Sequence, residues 1–300
     1  MAPSAALYLA ILLLAGNCAH AAGGEPPGQE LEWMPGCKEA AEAQLAEMQA
    51  GVPQNGTQLL FLGDSITEIW RGTLCGKPCH PAVQLNCPEF AGLMQRYFGQ
   101  YSPAVQAIAG DQVANLMWRI QNGALPNANQ TQPKVAVLLI GINDLSKLGH
   151  NAPGIAPTDR QLLKAAPTVA TRQVVTFLLQ YWERIEEAVG LLQERLPRTQ
   201  IVLLGLLPAG TWGLPGAANY SWPSKYSRAL PVVNTRLRAY AAGQPRVQYL
   251  DCGARFLVPN GTAIDPALMP DALHPSAAGM ERGIAQCIKP LVDLLMQIAT

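Results

Sequence analysis

An excess of charge of either sign is absent from this chain. Its 300 residues carry 21 Lys and Arg against 21 Asp and Glu, a formal net charge of zero. A general nucleic-acid binder would carry a basic face or stripe, so that class is excluded. No run of five like charges occurs, which excludes an acidic or basic tail. No internal repeat is visible. No apolar run reaches the roughly 20 residues that a bilayer-spanning helix needs, so no integral membrane span is expected. Histidine is scarce, with four in the whole chain. What is plentiful is apolar side chain, 49% of the total, enough for one or two domains with a sizeable core. Gly 27 and Pro 25 point to long ordered loops.

The apolar run at residues 5–15 (AALYLAILLLA) is followed by Ala19-His20-Ala21, a small-x-small pattern. It reads as a secretory signal peptide over residues 1–21, against the alternative of a buried N-terminal helix. Residues 22–56 are then an N-terminal extension, and residues 57–300 the main domain. Removing the signal removes Cys18 and leaves Cys37, Cys75, Cys79, Cys87, Cys252 and Cys287. An even count in a secreted chain favours disulfides, with the pairing open. A metal cluster of Cys75, Cys79, His80 and Cys87 is the weaker alternative, because the spacing matches no common zinc module. Asn55, Asn129, Asn219 and Asn260 each open a glycosylation sequon, which agrees with a secretory route.

Five apolar runs without polar alternation suit strands buried on both faces of a parallel sheet. They are residues 58–63 (QLLFLG), 104–109, 134–141 (KVAVLLIG), 200–207 (QIVLLGLL) and 246–251 (RVQYLD). Helical patterns cover residues 38–50, 89–98, 113–121, 171–195, 225–241 and 276–298. This alternation predicts a doubly wound α/β fold, whose ligand site lies beyond the carboxyl ends of the strands.

Residues with chemistry stand at those ends. Gly63-Asp64-Ser65 closes the first strand, Ala109-Gly110-Asp111 the second and Gly141-Ile142-Asn143-Asp144 the third. Asp271-Ala272-Leu273-His274-Pro275 stands near the C-terminus. A serine hydroxyl is a poor nucleophile until a base takes its proton, and histidine held by a carboxylate is the usual base. A developing oxyanion needs preorganised donors, such as backbone N–H groups or an Asn amide. Ser65, His274, Asp271, Gly110 and Asn143 supply every part. His80 and His150 lie in inserted loops, so His274 is the better placed base.

These four blocks resemble the SGNH (GDSL-type) hydrolase superfamily. Residues 107–125 (AIAGDQVANLMWRIQNGAL) are similar to the platelet-activating-factor acetylhydrolase catalytic subunits. The resemblance implies a three-layer α/β/α sandwich with a five-stranded parallel sheet, flavodoxin-like, with no metal or cofactor. It implies Ser65 as nucleophile, His274 as base and Asp271 as the third triad member. The oxyanion hole it implies is the Ser65 N–H, the Gly110 N–H and the Asn143 side chain. It also suggests a homodimer. Ile66 replaces the leucine of the GDSL signature, and Ala109 replaces a glycine of the acetylhydrolase-like pattern. Two insertions, near residues 73–87 and 146–170, also depart from it.

Each residue has a plainer reading. Ser65 and Asp271 could be helix caps. Asn143 and Asp144 could be turn residues. Asp64, Asp111 and Asp144 read as loop-backbone partners, and Trp118 as packing. Trp212, Tyr220 and Trp222 sit in a loop on the active-site side. The expected function is a secreted serine esterase acting on a small acyl ester, acetyl in the leading case, of a carbohydrate or lipid. The alternatives are an acyltransferase with the same triad and a non-catalytic glycan- or lipid-binding module.

Overall fold

The computed structural model describes residues 31–51, 56–79, 87–127, 130–151, 169–211, 218–224 and 229–298. Asn55, Asn129, His80 and Trp212 lie outside them, as do residues 1–21 and the side chains of Cys87 and His150. In chain order the elements are helix α1 (Cys37–Gln49), strand β1 (Leu59–Gly63) and the short helix α2 (Ser65–Glu68). A hairpin of β2 (Thr73–Leu74) and β3 (Lys77–Pro78) follows, then α3 (Cys87–Phe98), β4 (Pro103–Ala107), α4 (Val113–Gln121) and β5 (Val135–Leu139). Next come α5 (Ile142–Asn151), α6 (Val169–Arg195), β6 (Gln200–Leu204), α7 (Ala229–Ala242) and β7 (Val247–Leu250). A π-helical stretch, Gly279–Ala285, leads into α8 (Gln286–Ile298).

The five longer strands form one parallel sheet in the order β4-β1-β5-β6-β7. Every residue of β1 and β5 is buried, which is why their sequences show no polar alternation. Leu60 of β1 pairs with Ala104 on one side and Ala136 on the other. Helices cover both faces. On one, α4, α6 and α7 pack in succession. On the other, α3 and α8 meet around the π-helical stretch. Beneath β1, the rings of Phe61, Trp70 and Phe98 pack at centroid distances of 5.5–6.1 Å. The chain is therefore the expected α/β fold with a five-stranded parallel sheet.

The order matters for function. Counting only the five sheet strands, the chain lays down the first strand, steps outward to the second, then returns past the first to the third. Ligands bind at the crevice where the direction reverses, here between β1 and β5.

Disulfides staple the periphery. Cys37–Cys75 ties α1 to the β2–β3 hairpin, and Cys252–Cys287 ties the segment after β7 to α8. Cys79 is also disulfide-bonded, so Cys75 and Cys79 are not free thiolate ligands for the alternative metal cluster. Gln44 on α1 docks on edge strand β4 by accepting from the Ala107 N–H at 3.0 Å and donating to its carbonyl at 2.9 Å. The N-terminal extension thus covers part of a sheet edge that would otherwise be open. Among the described residues, no helix is long and apolar enough to cross a membrane.

Candidate active site

Strand β1 ends in Gly63, whose missing side chain leaves room for the Leu139 carbonyl and Thr67. The chain then turns sharply into α2. Asp64 is the cap of that helix, accepting from the Ile66 N–H at 3.0 Å. Ser65 is therefore not the capping residue, and its hydroxyl is free for other work. Its Oγ lies 2.9 Å from His274 Nε2.

His274 is fixed from the other side. Its Nδ1 is 2.6 Å from Asp271 Oδ2, so the Nδ1–H is donated to the carboxylate and Nε2 keeps its lone pair toward Ser65. Asp271 Oδ1 accepts from the backbone N–H of Leu273 at 2.9 Å and of His274 at 2.6 Å. Ala272 between them adopts a left-handed φ of 64°, which turns the chain so that both side chains meet. Burial raises the Asp271 carboxyl, but the His274 hydrogen bonds and charge and the Leu273 N–H outweigh it, and its pKa falls below the ordinary value. Asp271 is thus bonded to His274 and its own turn and does not cap the last helix.

The three candidate oxyanion donors come from neighbouring strand ends. Ser65 follows β1, Gly110 follows β4 and Asn143 is the second residue of α5, just after β5. Gly110 has φ +81°, a conformation that glycine adopts without strain. Among the described residues, no acceptor takes the N–H of Ser65 or Gly110. Asn143 Nδ2 donates to the Asp111 carbonyl at 2.9 Å, which leaves its second hydrogen for another acceptor.

The remaining acids are structural. Asp144 accepts from the Val113 N–H, the backbone role expected of it. Asp111 instead pairs with the fully buried Arg119, which also donates to the Gly63 carbonyl at 3.0 Å. Arg119 so links the Ser65 turn to the Gly110 loop. Burial pushes Asp111 up to about 6 against the pull of Arg119. Asp64 has one oxygen with no partner among the described residues, and burial pushes its carboxyl up to about 7.

Tyr220 and Trp222 pack against the core, and the Tyr220 hydroxyl donates to the Pro270 carbonyl just before the Asp271 turn. Asn219 and Asn260 are exposed. Trp118 packs edge-on against Trp33 at 5.8 Å. Met34, half-exposed, lies against the open side of Gly110.

The GDSL-like Lipase/Acylhydrolase family model matches residues 61–282. The chain belongs to this family. Similarity to the alpha1 subunit of platelet-activating factor acetylhydrolase IB from Bos taurus is 28% identity over 81% of this chain and 77% of that one. The alpha2 subunit from Homo sapiens is also 28% identical, over 80% and 76%. A GDSL-like lipase from Bacteroides thetaiotaomicron superposes with a TM-score of 0.52 at 16% identity, over 88% of this chain and 98% of that one. A carbohydrate esterase family 3 protein from Talaromyces cellulolyticus gives 0.50 at 16% identity, over 81% and 100%. The chain is accordingly a GDSL-type ester hydrolase.

Two parts of the site escaped the sequence reading. Arg119 carried no assigned role, and Glu68, buried below the Gly110 loop, was not singled out. For Arg119 the available signal was a charge at helical spacing from Leu116 and Val113, on a face that also buries Asn115.

Proposed function

We propose that this GDSL-type hydrolase is a secreted serine esterase that removes a small acyl group, acetyl in the leading case, from a carbohydrate or lipid ester. The observation that carries the reading is the unbroken relay from Ser65 Oγ through His274 to Asp271, at 2.9 Å and 2.6 Å.

Ser65 Oγ attacks the ester carbonyl carbon while its proton moves to His274 Nε2. The carbonyl oxygen becomes an oxyanion, held by the N–H groups of Ser65 and Gly110 and the free hydrogen of Asn143 Nδ2. Asp271 stabilises the imidazolium. The bond to the leaving alcohol breaks and the alcohol oxygen takes the Nε2 proton. Water then attacks the acyl-Ser65 carbonyl, giving its proton to Nε2. Collapse releases the acid and returns that proton to Ser65.

The disulfides and the exposed sequons at Asn219 and Asn260 support a secretory route. The acetylhydrolase relatives and the esterase-like fold support a small acyl group. The test is labelling with a fluorophosphonate followed by peptide mass mapping. Adduct on Ser65, lost in His274→Ala, supports the reading; a labelled site elsewhere, or none, refutes it.

A further inference from the structure

We propose that Glu68 is the positioning residue of the oxyanion loop. The inference rests on the reading of Gly110 as an oxyanion donor and goes beyond it by naming what aims that donor.

Glu68 closes α2, one turn after Ser65, and is 0% exposed. Its two oxygens accept four hydrogen bonds. Oε1 accepts from the Thr73 hydroxyl at 3.0 Å and the Gly76 N–H at 2.8 Å. Oε2 accepts from the Cys75 N–H at 2.9 Å and the Ala109 N–H at 2.7 Å. Hydrogen bonds to an ionised carboxylate are roughly twice as strong as neutral ones, and this one is shielded from water.

The Ala109 bond is the one that matters for the reaction. Between its anchored nitrogen and the Gly110 N–H lie only the φ and ψ of Ala109, because the intervening peptide is planar. From the far side the loop is held by the Asp111 N–H to the Ile108 carbonyl, and by the pairing of Asp111 with Arg119. Ile108 and Ala109 sit in a small apolar cluster with Cys37 and Ala41, apart from the main core. The short helix α2 thus carries both the nucleophile and the carboxylate that anchors the loop of its oxyanion donor. Cys75, hydrogen-bonded to the same oxygen, brings the Cys37–Cys75 staple into the same bracket.

An amide cannot replace this carboxylate. In Glu68→Gln, an oxygen kept toward Cys75 and Ala109 turns the NH2 group against the Gly76 N–H, donor to donor. The loop then relaxes by a fraction of an ångström. Because the oxyanion exists only in the transition state and intermediate, the loss falls on kcat and not on KM.

The experiment measures kcat and KM for p-nitrophenyl acetate per active site, counted by fluorophosphonate titration, in Glu68→Gln and Glu68→Asp. The expected result for Glu68→Gln is a fall in kcat of about 10- to 100-fold with KM within about twofold of wild type. Affinity for a tetrahedral phosphonate should fall by the same factor as kcat/KM, and Glu68→Asp should recover part of the loss. A purely structural role would lower Tm and the titrated fraction while leaving kcat per site unchanged, and that result overturns the proposal. A rise in KM alone also overturns it. If neither variant folds, hydrogen exchange in the wild-type protein decides: the Ala109 amide should exchange as slowly as those of β1, and loop-like exchange overturns the proposal. Wild-type turnover in Glu68→Gln beside an inactive Ser65→Ala overturns this inference alone, whereas an active Ser65→Ala overturns the reading beneath it as well.

Discussion

The Gly210 N–H donates to the Ala272 carbonyl at 2.8 Å, tying the loop after β6 to the turn that joins Asp271 and His274. A Cβ on Gly210 would stand 2.9 Å from the Ala272 Cβ and run into the Asn219 carbonyl. Neither neighbour is a flexible side-chain end, so backbone at Asn219, at the turn or at both must shift. Gly210→Ala is expected to cut kcat/KM by about 10- to 100-fold, since displacements near 1 Å cost that much. Steady-state kinetics beside a melting curve check this. An unchanged rate would show that the turn is set without Gly210.

The Asp111–Arg119 pair lies fully out of water, with Arg119 at 0% and Asp111 at 1% side-chain exposure. Removing one partner strands a buried charge. Arg119→Met is therefore expected to lower stability by about 3–5 kcal/mol, while Arg119→Met with Asp111→Leu recovers much of the loss. Urea denaturation measures both. Equal losses in the single and double variants would contradict the pairing argument.

Stability should fall as pH rises from about 4 to about 7. The Asp64 carboxyl stands at about 7 in the folded chain, against an ordinary value of 3.8. In that window the folded chain keeps a proton that the unfolded chain has released, so raising pH favours unfolding. Asp111, raised to about 6, acts in the same direction over the lower part of the window. Asp271 has the opposite sign, because its lowered pKa confines its loss of stability to acid below the ordinary carboxylate range. A higher Tm near pH 5 than near pH 8 is expected, with a smaller difference in Asp64→Asn, which keeps the acceptor for the Ile66 N–H. A flat wild-type profile would contradict the burial argument.

The sheet was legible because β1 and β5 are buried on both faces, and such strands must be apolar throughout. Strand ends were less so. The run at residues 104–109 reads as one strand, but β4 stops at Ala107, where the chain bends toward the left-handed Gly110. The final helical pattern divides because Gly279 and Gly283 let a π-helical stretch press onto Leu268 and Phe256. Apolar periodicity does not register that close approach. Helix α5 has no counterpart among the helical patterns, since Asn143-Asp144 reads as a turn and the insertion at residues 146–170 begins inside it.

The site divides along a similar line. The candidate residues Ser65, His274 and Asp271 stand out by type, Ser65 directly after β1 and the other two three apart near the C-terminus. Glu68 does not, because three of its four partners are backbone N–H groups, one of them on a residue 41 positions away. Backbone donors leave no mark in a sequence. The Cys37–Cys75 pairing was equally hidden, since spacing alone leaves the partners open.

The most direct test of the account is turnover of p-nitrophenyl acetate by Ser65→Ala. Loss of kcat to the uncatalysed background is expected, with a circular-dichroism spectrum and Tm close to wild type. Wild-type turnover in a folded Ser65→Ala protein would contradict it.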